Sequence, residues 1–193
     1  MPTMRVESVM SLLLALVRKV DQDDGEPWSD PVIQRQEEVL EEGLEGRAAQ
    51  HIISHTMEMM LACMSVIWGG IAERHPKLRV GFLESGGGWI APWLDRMDRH
   101  FDDQGFNDSG LSMRPSEIFQ RNCWISFEPV EGSIAALAEY IGPHKIMWAT
   151  DYPHQDGFFP GAPPMIRERI EPLSPAARHQ VLAGGAMGFY GMN

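Results

Sequence analysis

Ile146-Met147-Trp148-Ala149-Thr150-Asp151-Tyr152-Pro153-His154 is the stretch on which the fold of this chain turns. Ile146 to Ala149 is a short apolar run of the length and character of a buried strand in a parallel sheet. Tyr152-Pro153 ends it, because proline cannot donate to a strand ladder. Asp151 therefore stands just past a strand end, where α/β folds collect ligands and chemistry. Two readings are open from position alone: a functional carboxylate, or a residue that closes a turn.

Working outward, two similar strands precede it. Leu78 to Leu83 runs into Glu84-Ser85-Gly86-Gly87-Gly88, and Cys123 to Phe127 runs into Glu128-Pro129. Helical patterns separate the strands. Ile90, Trp93, Leu94, Met97 and Phe101 form one apolar face, and Ile134, Leu137, Ala138 and Ile141 form another that stops at Gly142-Pro143. Pro115-Ser116-Glu117 opens a short helical turn. Strands alternating with helices predict an α/β fold with a parallel sheet. In such a sheet the three strand-end acids, Glu84, Glu128 and Asp151, lie along one edge. After Asp151, Gln155 to Pro164 reads as a loop carrying Phe158 and Phe159, and Ser174-Pro175 reads as N-cap and first position of a helix that ends at Gly184-Gly185.

Upstream, Met57, Met60, Leu61, Met64, Ile67, Trp68 and Ile71 follow helical spacing with Thr56 as N-cap, a methionine stripe that reads as core packing. His51 and His55 share one helix face and read as structural. Residues 1–50 form a separate segment, acidic and mostly helical, with a packed helix over Val9 to Val17 and a short acidic helix over Val32 to Leu44. Residues 20–46 hold ten acids against the single base Arg35, a solvated block rather than a metal site.

Composition narrows the class. The chain has 193 residues, 44% of them hydrophobic, and a formal net charge of −11. That charge excludes a nucleic-acid partner, which needs a basic footprint. No stretch reads as a membrane span or a signal peptide. Cys63 and Cys123 are too few for a disulfide framework or a thiolate metal site, so a reducing cytoplasm is the expected compartment. The triple glycine is not followed by Gly-Lys-Ser/Thr, so it is not a phosphate loop of that type.

Several motifs together resemble the amidohydrolase-related family, which contains metal-dependent hydrolases and the aminocarboxymuconate-semialdehyde decarboxylases. They are Arg74-His75-Pro76-Lys77-Leu78-Arg79-Val80, Phe82-Leu83-Glu84-Ser85-Gly86-Gly87-Gly88-Trp89, Leu94-Asp95-Arg96-Met97-Asp98, Pro115-Ser116-Glu117, Ile125-Ser126-Phe127-Glu128-Pro129 and Thr150-Asp151-Tyr152-Pro153-His154. They run in the family's order from about Gln50 to the C-terminus. The resemblance implies that residues 51–193 are the last three βα units of a partial (β/α)8 TIM-like barrel. It implies that Asp151 is a catalytic metal ligand and proton acceptor, with a divalent metal, zinc first, as cofactor. Glu84, Trp89, His154 and Phe158, with Phe159, would then bind a small carboxylated or cyclic substrate. The family's opening H-x-H is absent from this chain, and Glu84-Ser85 stand where the decarboxylase branch carries a histidine. The expected activity is thus a metal-dependent hydrolase, impaired alone. The alternatives are a decarboxylase of the same family or a non-catalytic binding module. Uncovered barrel faces would favour homo-oligomers.

Overall fold

The computed structural model describes residues 47–103 and 107–192. The segments expected over Val9 to Val17 and Val32 to Leu44, and the acidic block, lie outside the described residues. The chain divides into two units, Met1–Glu58 and Met59–Asn193, the division falling inside the first described helix, α1 (Arg47–Ile67). In the first unit the rings of His51 and His55 lie 4.5 Å apart, one turn from each other. Thr56 is inside α1 rather than at its N-cap, because the helix starts nine residues earlier, at Arg47.

The second unit is built on three parallel strands, β1 (Val80–Phe82), β2 (Cys123–Phe127) and β3 (Ile146–Trp148), in the order β1-β2-β3. Val80 pairs with Cys123 and Phe82 with Ile125, while Ile125 pairs with Ile146 and Phe127 with Trp148. Every residue of β2 is buried, as a central strand covered on both faces requires. Between β1 and β2 run α3 (Ile90–Asp102) and α4 (Pro115–Asn122), and between β2 and β3 runs α5 (Ile134–Ile141); a four-residue α2 (Ile71–Arg74) precedes β1. The core they enclose includes Phe82, Ile90, Leu94, Phe119, Ile125 and Phe127.

The expected apolar face of α3 is buried at Ile90, Leu94 and Met97. The face expected for α1 is observed only in part: Ile67 is buried and Trp68 packs against the core as expected, whereas Met57 and Met64 are exposed and Cys63 and Val66 are buried in their place. Apolar side chains stand almost all round this helix between Met57 and Trp68, so periodicity alone does not choose a face. Both cysteines are free, and burial pushes the Cys123 thiol up to about 12.

Two further differences concern the C-terminal third. Ala162–Arg169 is a helix, α6, where the sequence reads as loop as far as Pro164. Pro163 and Pro164 lie in its first turn, where a missing N–H leaves no helical bond unmade, and Ala162 and Ile166 are buried. The helix begun at Ser174, whose hydroxyl accepts from the Ala177 N–H at 3.2 Å, does not stop at Gly184-Gly185. It runs from α7 (Pro175–His179) through a π-turn over Gln180–Gly184 into α8 (Gly185–Tyr190). Gly185 is there for close approach: a Cβ at that position would run into the backbone carbonyl of Ile146 in β3.

β1 is shorter than the apolar run that announces it: Val80 pairs with Cys123, the first residue of β2, and the residue before that, Asn122, ends α4. This buried residue, at the α4–β2 junction, donates from Nδ2 to the Leu78 carbonyl at 2.6 Å and to the Pro76 carbonyl at 3.2 Å. The Leu78 carbonyl, two residues before β1, is thereby tethered to the α4–β2 junction. Asn122→Ala leaves that carbonyl without its amide donor and is expected to cost about 1–3 kcal/mol. Urea unfolding checks this, and an unchanged midpoint would show that the tether carries no stability.

Candidate active site at the C-terminal strand ends

Parallel pairing delivers all three strand ends to one edge, and the chemistry-bearing side chains stand there. Past β3 the chain folds into a tight loop. The His154 N–H donates to the Asp151 carbonyl at 2.9 Å, and the Phe158 N–H donates to the Thr150 carbonyl at 2.7 Å. Asp151 adopts a left-handed backbone, φ 55°. Non-glycine residues enter that region at a cost and hold it only where their surroundings fix it. The result is a carboxylate–imidazole pair, with His154 Nδ1 2.8 Å from Asp151 Oδ1. The His154 side chain is 60% exposed and that of Asp151 30%, so the pair faces solvent from a held carboxylate.

Glu84, just past β1, is the second left-handed acid, φ 58°, and it is exposed. The hydrogen bond that the His154 ring donates to the Asp151 carboxylate raises the imidazole above its ordinary range, and the charges of Asp151, Glu84 and Asp156 add to the rise. Glu84 and the Asp151–His154 pair thus share one local field. That shift favours the charged imidazole, the form that gives a proton, with Asp151 to orient it.

Glu128, the acid at the end of β2, is exposed, while Glu131, three residues on, is partly buried. The Glu131 carboxylate accepts from the Gly87 N–H at 3.0 and 3.1 Å, from the Gly88 N–H at 3.1 Å and from the Glu128 N–H at 2.7 Å. Burial pushes its carboxyl up from the usual glutamate range, against the pull of these donors, and the charge of Glu128 adds to the rise. Nothing in the sequence joins Glu131 to Gly87 across 44 positions; the one available signal is a second acid three residues after Glu128 in a turn-rich run. Gly87 has no room for a side chain, since a Cβ would fall well inside contact distance of the Phe127 ring.

Trp89 and Phe158 are half-buried. The Trp89 indole N–H donates to the Gly86 carbonyl at 2.8 Å and its ring meets Phe82 edge-on at 6.2 Å, so Trp89 braces the glycine loop. Phe158 closes the Asp151 loop through its backbone. Tyr152 and Phe159 stand beside it as an exposed edge-to-face pair, 5.0 Å apart. An open recess of about 280 Å³ lined by Arg74, His75, Pro76, Lys77 and Leu78 lies at the other, N-terminal end of β1 and takes no part in this edge.

Metal fit can be judged from the donor set. A zinc site keeps three protein ligands at least. Among the described residues no three His, Cys, Asp or Glu side chains group closely enough to hold a metal ion, so these residues alone do not fit one. No helix among them is long and apolar enough to cross a membrane.

The Amidohydrolase family model matches residues 19–192, reaching forward of Gln50, where the motifs begin. The 2-amino-3-carboxymuconate-6-semialdehyde decarboxylase of Dictyostelium discoideum is 27% identical over 143 residues, 74% of this chain and 39% of that protein. Two solved structures are similar. An amidohydrolase from Mycobacterium avium subsp. paratuberculosis K-10 superimposes with a TM-score of 0.62 at 21% identity, over 74% of this chain and 36% of that one, a likeness of fold alone. The 5-carboxyvanillate decarboxylase of Sphingomonas paucimobilis superimposes with a TM-score of 0.59 at 27% identity, over 83% of this chain and 46% of that one. The chain therefore spans about two-fifths of the length of the curated relative it matches.

Because the His154 value in the folded chain lies above that of the unfolded chain, its pairing stabilises fully below the ordinary histidine range. That contribution is lost as pH rises through the raised value. An NMR titration of the His154 imidazole is expected to give a midpoint above about 6.5, the unperturbed value, and Asp151→Asn is expected to bring it down. A midpoint that Asp151→Asn leaves unmoved would contradict the pair.

Proposed function

Since this chain belongs to the amidohydrolase family, we propose that its strand-end rim acts on a small carboxylated substrate, with Asp151 and His154 handling the proton. That family has the TIM-barrel fold, and three parallel strands alternating with helices agree with part of one. We read them as the sixth, seventh and eighth strands of such a barrel. The reaction we favour is decarboxylation. The decarboxylase activities of two relatives, each 27% identical, support it, and the 2.8 Å Asp151–His154 hydrogen bond carries it.

Loss of carbon dioxide breaks a C–C bond and leaves its electron pair on the carbon that stays behind. One proton must reach that carbon. His154, its imidazole raised above the ordinary range by Asp151, supplies it from the protonated form, and solvent restores it afterwards. Glu84 shapes the charge of the site, while Phe158, Phe159 and Trp89 give it apolar walls. Members of the family are usually metal-dependent. Asp151 is the residue of this chain proposed to hold a divalent metal, zinc first, with further ligands from beyond the described residues.

Hydrolysis at the same rim is the second reading. It is favoured by Glu84 and Ser85, which stand where the decarboxylase branch of the family has a histidine. There Asp151 accepts a proton from the attacking water. A non-catalytic module is the third. A part-barrel with an unpaired strand edge would self-associate, so a homo-oligomer is proposed with it.

Purified chain, with and without added zinc, is incubated with 5-carboxyvanillate and with 2-amino-3-carboxymuconate-6-semialdehyde, and carbon dioxide is measured; in parallel it is incubated with small carboxylated esters and amides, and their hydrolysis is measured. Release that falls by about 10²–10⁴-fold in Asp151→Asn is the expected result, the usual contribution of a positioned acid–base group. Ester or amide hydrolysis without carbon dioxide, again lost in Asp151→Asn, overturns decarboxylation in favour of hydrolysis. No turnover of either kind overturns both in favour of the non-catalytic module.

A further inference from the structure

We propose that Glu131 is the positioning residue of this rim: a carboxylate latch between the ends of β1 and β2 that holds residues 84–88 and so fixes where Glu84 stands. The proposal takes from the preceding section only that this rim is the reaction edge; the latch itself rests on geometry.

Glu84 sits at φ 58° and Gly86 at φ 65°, two left-handed positions within three residues. Such a loop does not keep its shape unaided. Its fixings can be named. The Phe127 ring of β2 fills the space beneath Gly87. The Trp89 indole N–H binds the Gly86 carbonyl at 2.8 Å. The third fixing is Glu131, which reaches the loop from another segment through a charge. Both carboxylate oxygens take the Gly87 N–H, at 3.0 and 3.1 Å; Oε2 also takes the Gly88 N–H at 3.1 Å, and Oε1 takes the Glu128 N–H at 2.7 Å. One side chain therefore joins the loop after β1 to the turn after β2. Hydrogen bonds to an ionised acceptor are roughly twice as strong as neutral ones. The Gly87 and Gly88 N–H groups also stand just before α3, where the helix dipole favours a negative charge. Glu128 faces Glu131 as a like charge, and the backbone donors outweigh it.

Both oxygens must accept, which separates a latch from mere packing. Glutamine has the same shape but offers one acceptor and turns an NH₂ toward N–H donors. If Glu131 only fills space, Glu131→Gln restores the wild-type loop; if it latches, Glu131→Gln behaves like Glu131→Ala.

The test is backbone amide hydrogen exchange, read by NMR on the full chain without substrate. A failed activity assay therefore does not touch it, and its own failure leaves the activity reading standing. Exchange at Gly87, Gly88 and Glu128 is expected to rise at least about tenfold in both variants, since a hydrogen bond to a charged group is worth that much or more. Exchange at Ile125 in the central strand stays as it was. Wild-type protection in Glu131→Gln would overturn the proposal. So would acceleration of Ile125 by the same factor as Gly87, which would mark general destabilisation instead of a local latch.

Discussion

Everything at the rim depends on the pairing of three strands in the same direction. β2 is hydrogen-bonded on both sides and buried along its whole length, so β1 and β3 can satisfy its backbone only by lying in register beside it. Parallel neighbours must be joined by crossovers, and α3, α4 and α5 serve as these, with apolar faces that cover the sheet. The same constraint decides where chemistry can be. Each strand begins at one end of the sheet and finishes at the other, so the residues that follow β1, β2 and β3 are neighbours although dozens of positions separate them.

The two acids in left-handed backbone, Glu84 and Asp151, follow β1 and β3, each within three residues of the strand end. Each such residue costs on the order of 1–3 kcal/mol, and the rim contains the bonds that offset it. On the β3 side these are local: the Thr150 carbonyl receives the Phe158 N–H, and His154 folds back on Asp151 by both backbone and ring. On the β1 side they come from Glu131, Phe127 and Trp89. A fold that spends stability to hold two carboxylates in fixed positions beside an imidazole has the makings of a proton-transfer site.

What could be read from the sequence follows the range of the forces involved. β2 is a run apolar but for Ser126, with a proline stop at Pro129, and it is found at the residues that the run marks. α3 and α5 show clean periodicity and bury the expected side chains. α1 does not, because apolar residues surround it. α6 is hidden by two prolines that suit a helix start as well as a loop. Two family motifs prove to be halves of one structural joint: Asp98 of Leu94-Asp95-Arg96-Met97-Asp98 receives the Ser116 N–H at 2.9 Å and its hydroxyl at 2.6 Å, and so caps α4. At the rim, Asp151, His154 and Glu84 are legible because they sit directly after strands. Glu131 is not, since its partners are chosen by packing across the sheet.

The central claim is that Glu84 and the Asp151–His154 pair answer to one another across the sheet, with β2 between their strands. Its most direct measurement is the imidazole titration of His154 in Glu84→Gln. Removal of that charge from a shared rim predicts a lower midpoint than in the unsubstituted chain. An identical midpoint in the two proteins would place Glu84 outside the field of His154 and contradict the common rim.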